Sequence, residues 1–304
     1  MANRALVADP TAAVTMRMAE VAEPAPRADQ LVVAVRHVSL NHGDLMDAVS
    51  GRIPPGGVLG SDLAGVVVEA AADGSGPAVG TPIVAFAEGA YAERVAVATS
   101  SVAALPGEVE LPVAAALPVA GIAALRTLRA AGSLLGRRVL VTGASGGVGA
   151  FAVQLAAAGG AHVIASVGAP ARGEGLRELG ADEVVVGLDG IERPVDVVLD
   201  NVGGPTLVGA WGLLAPGGSL HSIGWTSGEP AVLTPYATVG PVKTLSSHLN
   251  LAPFADDLAT LVALVAAGEL RVEIGWRGSW EQIGEACTAL RERRVRGKAV
   301  LELA

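Results

Sequence analysis

The chain has 304 residues, 51% hydrophobic and 17% charged, so it can bury a substantial core and is not a disordered polymer. Its formal net charge of -9 argues against nucleic acid as the main partner, because a phosphate backbone calls for clustered Lys and Arg. The single cysteine, Cys287, excludes intramolecular disulfides and any four-cysteine zinc site, and it suits a reducing compartment such as the cytoplasm.

The opening MANRALVADP lacks the apolar core of a secretory signal peptide. Short runs at 31–38, 64–69, 83–86 and 91–97 predict β-strands, separated by Gly and Pro clusters at 51–57, 74–77 and 80–82. They predict a small, irregular barrel. Near Pro112 the pattern changes: residues 113–131 are rich in Ala and Leu and predict a helix. Predicted strands then follow at 139–141, 162–166, 184–186, 195–200, 219–223 and 242–246, with helices between them at 171–179 and 206–214. Alternation with short connections predicts a parallel, doubly wound α/β sheet. Phe254, Leu258, Leu261, Val262 and Val265 mark an amphipathic helix. After Gly268 come a strand at 271–274, a helix at 280–291 and a strand at 299–303. Cys287 shares the apolar face of that helix with Trp280, Ile283, Ala286 and Leu290, which predicts a packed, inert thiol. The basic run Arg291, Arg293, Arg294, Arg296 and Lys298 lies at the helix end, where cations favour the dipole. Residues 139–170 and 201–228 carry no charge, yet glycines and turns break both, so they predict buried core and not membrane spans.

The most informative stretch is VLVTGASGGVGAFAVQLA at 139–156. An apolar and β-branched run leads into Gly143, Ala144, Ser145, Gly146, Gly147, Val148 and Gly149, and an apolar helix follows at once. Glycines let the backbone approach a pyrophosphate, and the helix start offers free N–H groups. The expected ligand is a dinucleotide and the expected chemistry hydride transfer.

The same stretch also fits the TGxxxGxG pattern of short-chain dehydrogenases. Those enzymes need Tyr-x-x-x-Lys, whereas Val95 follows Tyr91 at that spacing and Gly240 follows Tyr236. A different set of motifs comes in one order: Asn41-His-Gly-Asp44, Gly60-Ser-Asp-Leu-Ala-Gly-Val-Val67, Gly89-Ala-Tyr-Ala-Glu93, the glycine turn, Leu179-Gly-Ala-Asp182, Asp200-Asn-Val-Gly-Gly204 and Gly297-Lys298. In that order the chain resembles the medium-chain dehydrogenase/reductase superfamily, in its zinc-free quinone oxidoreductase-like branch. The resemblance implies a GroES-like β-barrel catalytic domain over 1–114, completed by 268–304, a Rossmann domain over 115–267, an active site in the cleft, and a homodimer paired through the edge strand at 242–246. It also implies that Asn41 and Asp44 position substrate and nicotinamide, Asn donating to a carbonyl and Asp orienting a water. The four residues 41–44 are equally rich in turn formers, and a turn is the alternative. Asn201, Gly224 and Lys298 are implied as further cofactor contacts beside Asn41 and the glycine loop.

Zinc members of this superfamily use a Cys, a His-Glu pair and a further Cys or Asp. Here Ser61-Asp62 stands where the pair would follow Gly60, no cysteine precedes Cys287, and the five histidines lack paired metal spacing. No zinc is expected, so conjugate reduction is favoured over alcohol oxidation. The second predicted strand ends in Ala165-Ser166-Val167-Gly168 without a carboxylate for a ribose 2′-OH, and Arg172 follows. Ser166 and Arg172 suit a 2′-phosphate, hence NADPH; a solvated arginine is the alternative.

The expected reaction is NADPH-dependent reduction of a quinone or an α,β-unsaturated carbonyl. Related enoyl reductases carry a Tyr where Ile53 stands and a Thr where Ala123 stands, so two hydroxyls are missing. Tyr91, Trp225, Tyr236 and His248 are candidate substrate-pocket residues, with core or surface packing as the alternative. A non-redox protein of the same fold, either a nucleotide-binding partner or a cyclase or isomerase, is the competing expectation.

Overall fold

The computed structural model describes residues 3–240 and 242–303. The chain forms two compact units, one made of the residues up to Ile122 with those from Leu251 onward, the other Ala123–Asn250.

The first unit is built on β-structure. β1 (Asn3–Ala8) and β2 (Met16–Val21) form an antiparallel pair. β3 (Gln30–Leu40) is followed by helix α1 (His42–Ser50), then by β4 (Asp62–Glu69), β5 (Pro82–Phe86), β6 (Arg94–Ala98) and β7 (Val102–Ala104). Helices α2 (Leu111–Ala115) and α3 (Pro118–Ala130) come next. The single helix expected over 113–131 is interrupted because Pro118 lacks an N–H and starts a new helix.

The second unit alternates strand and helix: β8 (Arg138–Thr142), α4 (Gly147–Ala158), β9 (His162–Val167), β10 (Glu183–Val186), β11 (Val195–Asp200), α5 (Gly204–Leu213), β12 (Leu214–Ser222) and β13 (Thr244–Ser247). All six strands are parallel, in the order β10-β9-β8-β11-β12-β13. This is the doubly wound dinucleotide topology, with its switch point between β8 and β11. The uncharged segments supply buried strands and helices of this sheet joined by exposed turns, and among the described residues no helix is long and apolar enough to cross a membrane. The helix expected at 171–179 is absent. A short 3-10 turn occupies Pro170–Gly173, and Gly175 then takes a left-handed φ of 72°, which an α-helix cannot accommodate.

The chain returns to the first unit with α6 (Ala255–Ala266), β14 (Ile274–Ser279), α7 (Ile283–Arg291) and β15 (Lys298–Glu302). The strand expected at 271–274 starts only at Ile274. β14, β15, β3, β4, β5 and β7 form one sheet in that order, with β6 also on β3. Its core includes Leu31, Leu40, Leu63, Ile83, Tyr91 and Trp280, all essentially inaccessible. The boundaries expected at 114/115 and 267/268 fall instead at 122/123 and 250/251. The cause is the packing of α6 on β5 and β7, anchored by Phe254 stacked on Phe86 with ring centroids 4.3 Å apart.

Candidate functional site

In the second unit, the sequence folds the glycine stretch as an anion cradle. β8 ends at Thr142, Gly143 turns the chain at a φ of 61°, and Gly146 enters α4 in an extended conformation with no side chain capping the helix. A Cβ on Gly149 would lie 2.4 Å from the Gly143 carbonyl oxygen, so the first helical turn closes on the loop only because that residue is glycine. Ala144 is buried, its N–H donating to the Ser166 carbonyl at 3.0 Å, while Gly146, Gly147 and Val148 stay half-buried at the helix mouth. Free N–H groups and the positive end of α4 together suit a pyrophosphate.

The switch point is tied together by side chains. Thr142 Oγ1 donates to Asp200 Oδ1 at 2.6 Å and accepts from the Asn201 N–H at 3.0 Å. Asn201 Nδ2 donates to the Thr142 carbonyl at 2.9 Å, which leaves its Oδ1 buried and unpartnered. Burial raises the Asp200 carboxyl above its ordinary range. Gly224 follows β12, and a Cβ there would come within 2.9 Å of the Asn201 carbonyl.

At the end of β9 the two expected 2′-phosphate residues part company. Arg172 is half-buried beside the glycine loop, with Nε donating to Ser145 Oγ at 2.8 Å. Ser166 is buried, and its hydroxyl donates to the Gly187 carbonyl at 2.6 Å. That proton joins β9 to the end of β10 and is not presented to a ligand, so the Ser166 expectation is corrected.

Of the four candidate pocket residues, one lines a groove. Trp225, 44% exposed, packs its ring on Gly203 and lines a space of about 440 Å³ with Leu207, Ser222, Leu233, Leu245 and Ser247. Tyr236 is 82% exposed on the surface. His248 pairs its Nε2 with Asn250 Oδ1 at 2.8 Å, outside that groove, and burial lowers its pKa. Tyr91 belongs to the first unit and is fully buried, a core residue and not a pocket wall.

The first unit holds a second polar constellation, centred on two buried carboxylates. The 41–44 stretch is not a free turn but the start of α1: the Asn41 N–H donates to Asp44 Oδ2 at 2.9 Å. The same Oδ2 accepts from Asn41 Nδ2 at 3.1 Å and lies 2.7 Å from the Tyr91 hydroxyl, whose single proton it shares with the Ser39 carbonyl at 2.8 Å, and Asp44 Oδ1 accepts from Ser61 Oγ at 3.0 Å. Asp62 Oδ2 accepts from Ser39 Oγ at 2.7 Å, Asn41 Nδ2 at 2.9 Å and Lys298 Nζ at 3.1 Å, while its Oδ1 accepts the Val119 N–H at the start of α3 at 2.8 Å.

Two expectations change here. Both amide protons of Asn41 go to the carboxylates, so it has no donor left for a substrate carbonyl and acts as a positioning residue. Lys298 is buried and donates to the Leu40 carbonyl, Asn41 Oδ1 and Asp62 Oδ2. Its three protons are committed. It therefore does not belong to the surface basic run, and it has no proton left to offer a cofactor. Burial and the neighbouring Asp62 charge raise the Asp44 pKa to about 6. Burial, with Asp44 beside it, holds the Tyr91 hydroxyl protonated. Cys287 is the packed thiol expected, its pKa raised to about 11 by burial. Ser39, Asp62, Thr142 and Asp200 were assigned no site role from sequence, although a polar residue at the end of an apolar strand is the signal each offers.

Two family profiles match the chain: the alcohol dehydrogenase GroES-like domain over residues 27–107 and the zinc-binding dehydrogenase over 179–301. The spectinabilin polyketide synthase system protein NorB of Streptomyces orinoci is 32% identical over 286 residues. That match covers 90% of this chain, which spans only 13% of the larger protein. The mitochondrial NAD(P)H oxidoreductase RTN4IP1 of Bos taurus is 31% identical over 285 residues, covering 81% of this chain and 70% of that protein. The solved quinone oxidoreductase from Coxiella burnetii superposes with a TM-score of 0.88 at 25% identity, covering all of both chains. Zinc, which one profile's description carries, does not fit the donor set. Both Asp62 oxygens are engaged, Ser61 is no zinc ligand, and among the described residues no three His, Cys, Asp or Glu side chains form a metal-holding group.

Proposed function

The chain belongs to the medium-chain dehydrogenase/reductase superfamily, in its quinone oxidoreductase-like branch, and we propose that it is a zinc-independent, NADPH-dependent reductase of quinones or α,β-unsaturated carbonyls. The observation that carries the reading is Arg172 docked on Ser145 of the glycine loop, at the end of a second strand that holds no carboxylate. A guanidinium there offers a 2′-phosphate planar, bidentate recognition. Gly143, Ala144, Ser145, Gly146, Gly147 and Val148 hold the pyrophosphate, and Asn201 and Gly224 border the nicotinamide side. A reduced nicotinamide bound there supplies a hydride. Asn41 and Lys298 fix the geometry of the two carboxylates, and the Asp44 carboxyl, its pKa raised to about 6, keeps a minor protonated fraction at neutral pH. Trp225 provides an apolar wall for a planar substrate.

We infer a cytoplasmic location from the cysteine usage, and a homodimer; β13, the exposed outer strand of the parallel sheet, is the edge that would support such pairing. The test is steady-state NADPH oxidation with a panel of quinones and enones. Turnover supports the reading, and NADPH that is bound but never oxidised by any of them rejects it.

A further inference from the structure

The parallel sheet of the second unit ends at β13, and among the described residues no further strand pairs with its outer edge. Residues 225–249, which surround that edge, contain only two charges, Glu229 and Lys243, in a protein of net charge -9. Lys243 is tied back, its Nζ donating to the Trp211 carbonyl at 3.0 Å and lying over the same indole ring. The stretch exposes large apolar side chains, among them Trp225, Val232, Tyr236, Val242, Leu245 and Leu249. A patch of this kind marks a contact surface, and on an acidic protein it is where a second copy meets least repulsion.

Tyr236 is 82% exposed, yet it holds a left-handed φ of 67°, a conformation that strains a bulky residue. Tyrosine is also enriched among the side chains that dominate binding energy at protein interfaces. Tyr236 lies towards the N-terminal end of β13. The carbonyl of the next residue, Ala237, accepts from Trp211 Nε1 at 2.8 Å, at the last turn of α5. The Trp225 groove lies at the opposite end of the strand. There Ser222 and Ser247 end β12 and β13, and Trp225 packs on Gly203 at the start of α5. Both features are on the α5 side of the sheet. Two copies joined edge to edge along β13, about a two-fold axis perpendicular to the sheet, run antiparallel and keep their α5 sides together. The N-terminal end of one β13 then lies beside the C-terminal end of the other.

We propose that Tyr236 of the partner subunit closes the Trp225 groove, and reciprocally, so that each apolar site is completed by a ring from the other protomer. This rests on the homodimer inferred above and supplies that site with a second aromatic wall. The groove, about 440 Å³, combines Leu207, Leu233 and Leu245 with the hydroxyls of Ser222 and Ser247. The partner's ring covers its open mouth, and the floor is left to a planar, weakly polar ligand.

Two cysteine variants test the exchange, Tyr236→Cys and Ser247→Cys. Cys287 is buried and its thiol is held protonated, so it does not compete. Dissociated, mixed, reassociated and oxidised, the two variants should give a disulfide-linked pair, while neither should do so alone. In sedimentation, Tyr236→Ala should raise the dimer dissociation constant about tenfold or more. Tyr236→Gly should do the same in a well-folded protomer, because glycine suits that φ. Val186→Ala, on the opposite outer strand β10, should leave the constant unchanged. All these measurements are made without nucleotide, so a failed reductase assignment does not disturb them. A stable dimer that neither cross-links in the mixture nor responds to Tyr236→Ala would overturn the proposal and leave the homodimer standing. A monomer at every concentration would remove both. A monomer that binds the apolar dye anilinonaphthalene sulfonate, with binding lost in Trp225→Ala, would give the groove to a small ligand alone.

Discussion

The ammonium of Lys298 lies 3.1 Å from Asp62 Oδ2, 236 residues earlier in the chain, and both side chains are sealed from solvent. Removing one partner of such a pair leaves an uncompensated buried charge, which costs about 3–5 kcal/mol. Lys298→Met should lower the unfolding free energy by about that amount in urea melts at pH 7, and because its three protons are committed to Leu40, Asn41 and Asp62, NADPH affinity of the folded variant should hold within a few-fold.

Asp44 gives stability a defined pH dependence. Its pKa is raised from 3.8 to about 6, so the native state holds the proton more tightly than the unfolded chain. Its contribution is fully present below pH 3.8 and is lost as pH rises through about 6. Asp44→Asn does not titrate, so wild type should lose about 1 kcal/mol relative to it between pH 5 and 7.5. Paired denaturant melts at the two pH values measure this, and a difference independent of pH would contradict it.

Arg172→Ala should weaken NADPH binding much more than NADH binding, by about tenfold or more, because only NADPH carries the 2′-phosphate. Equal losses would mean that the guanidinium serves only the Ser145 loop.

Gly149→Ala should disrupt the cradle, since the new methyl would meet the Gly143 oxygen at 2.4 Å and Ala144 Cα at 2.6 Å, all backbone. Nucleotide binding should be lost, with a drop in melting temperature. Gly212→Ala, in α5 with open space around the glycine, is the matched control and should bind normally.

The doubly wound half of the fold was legible because each strand is a short apolar run and the glycine turn follows the first of them. The edge strand expected at 242–246 forms at Thr244–Ser247. The helix expected at 171–179 failed because Gly175 imposes a left-handed backbone that a helical pattern does not reveal. β1, β2 and α1 were missed: Met16–Val21 mixes charge with apolar residues, and α1 opens with His-Gly-Asp, residues that also make turns. The strand, glycine turn and helix at 139–156 were readable from spacing alone. The roles of Asn41, Ser166 and Lys298 were not, because they depend on where each proton goes. Lys298 was counted among surface arginines although β15 buries it against β3, a pairing of distant strands that local sequence does not encode.

The most direct test of the central claim is a fluorescence titration of the purified protein with NADPH and, separately, with NADH. Saturable binding with a clear preference for NADPH is the predicted result. Binding of neither nucleotide would contradict the reductase assignment itself, and equal binding of both would remove the 2′-phosphate role of Arg172.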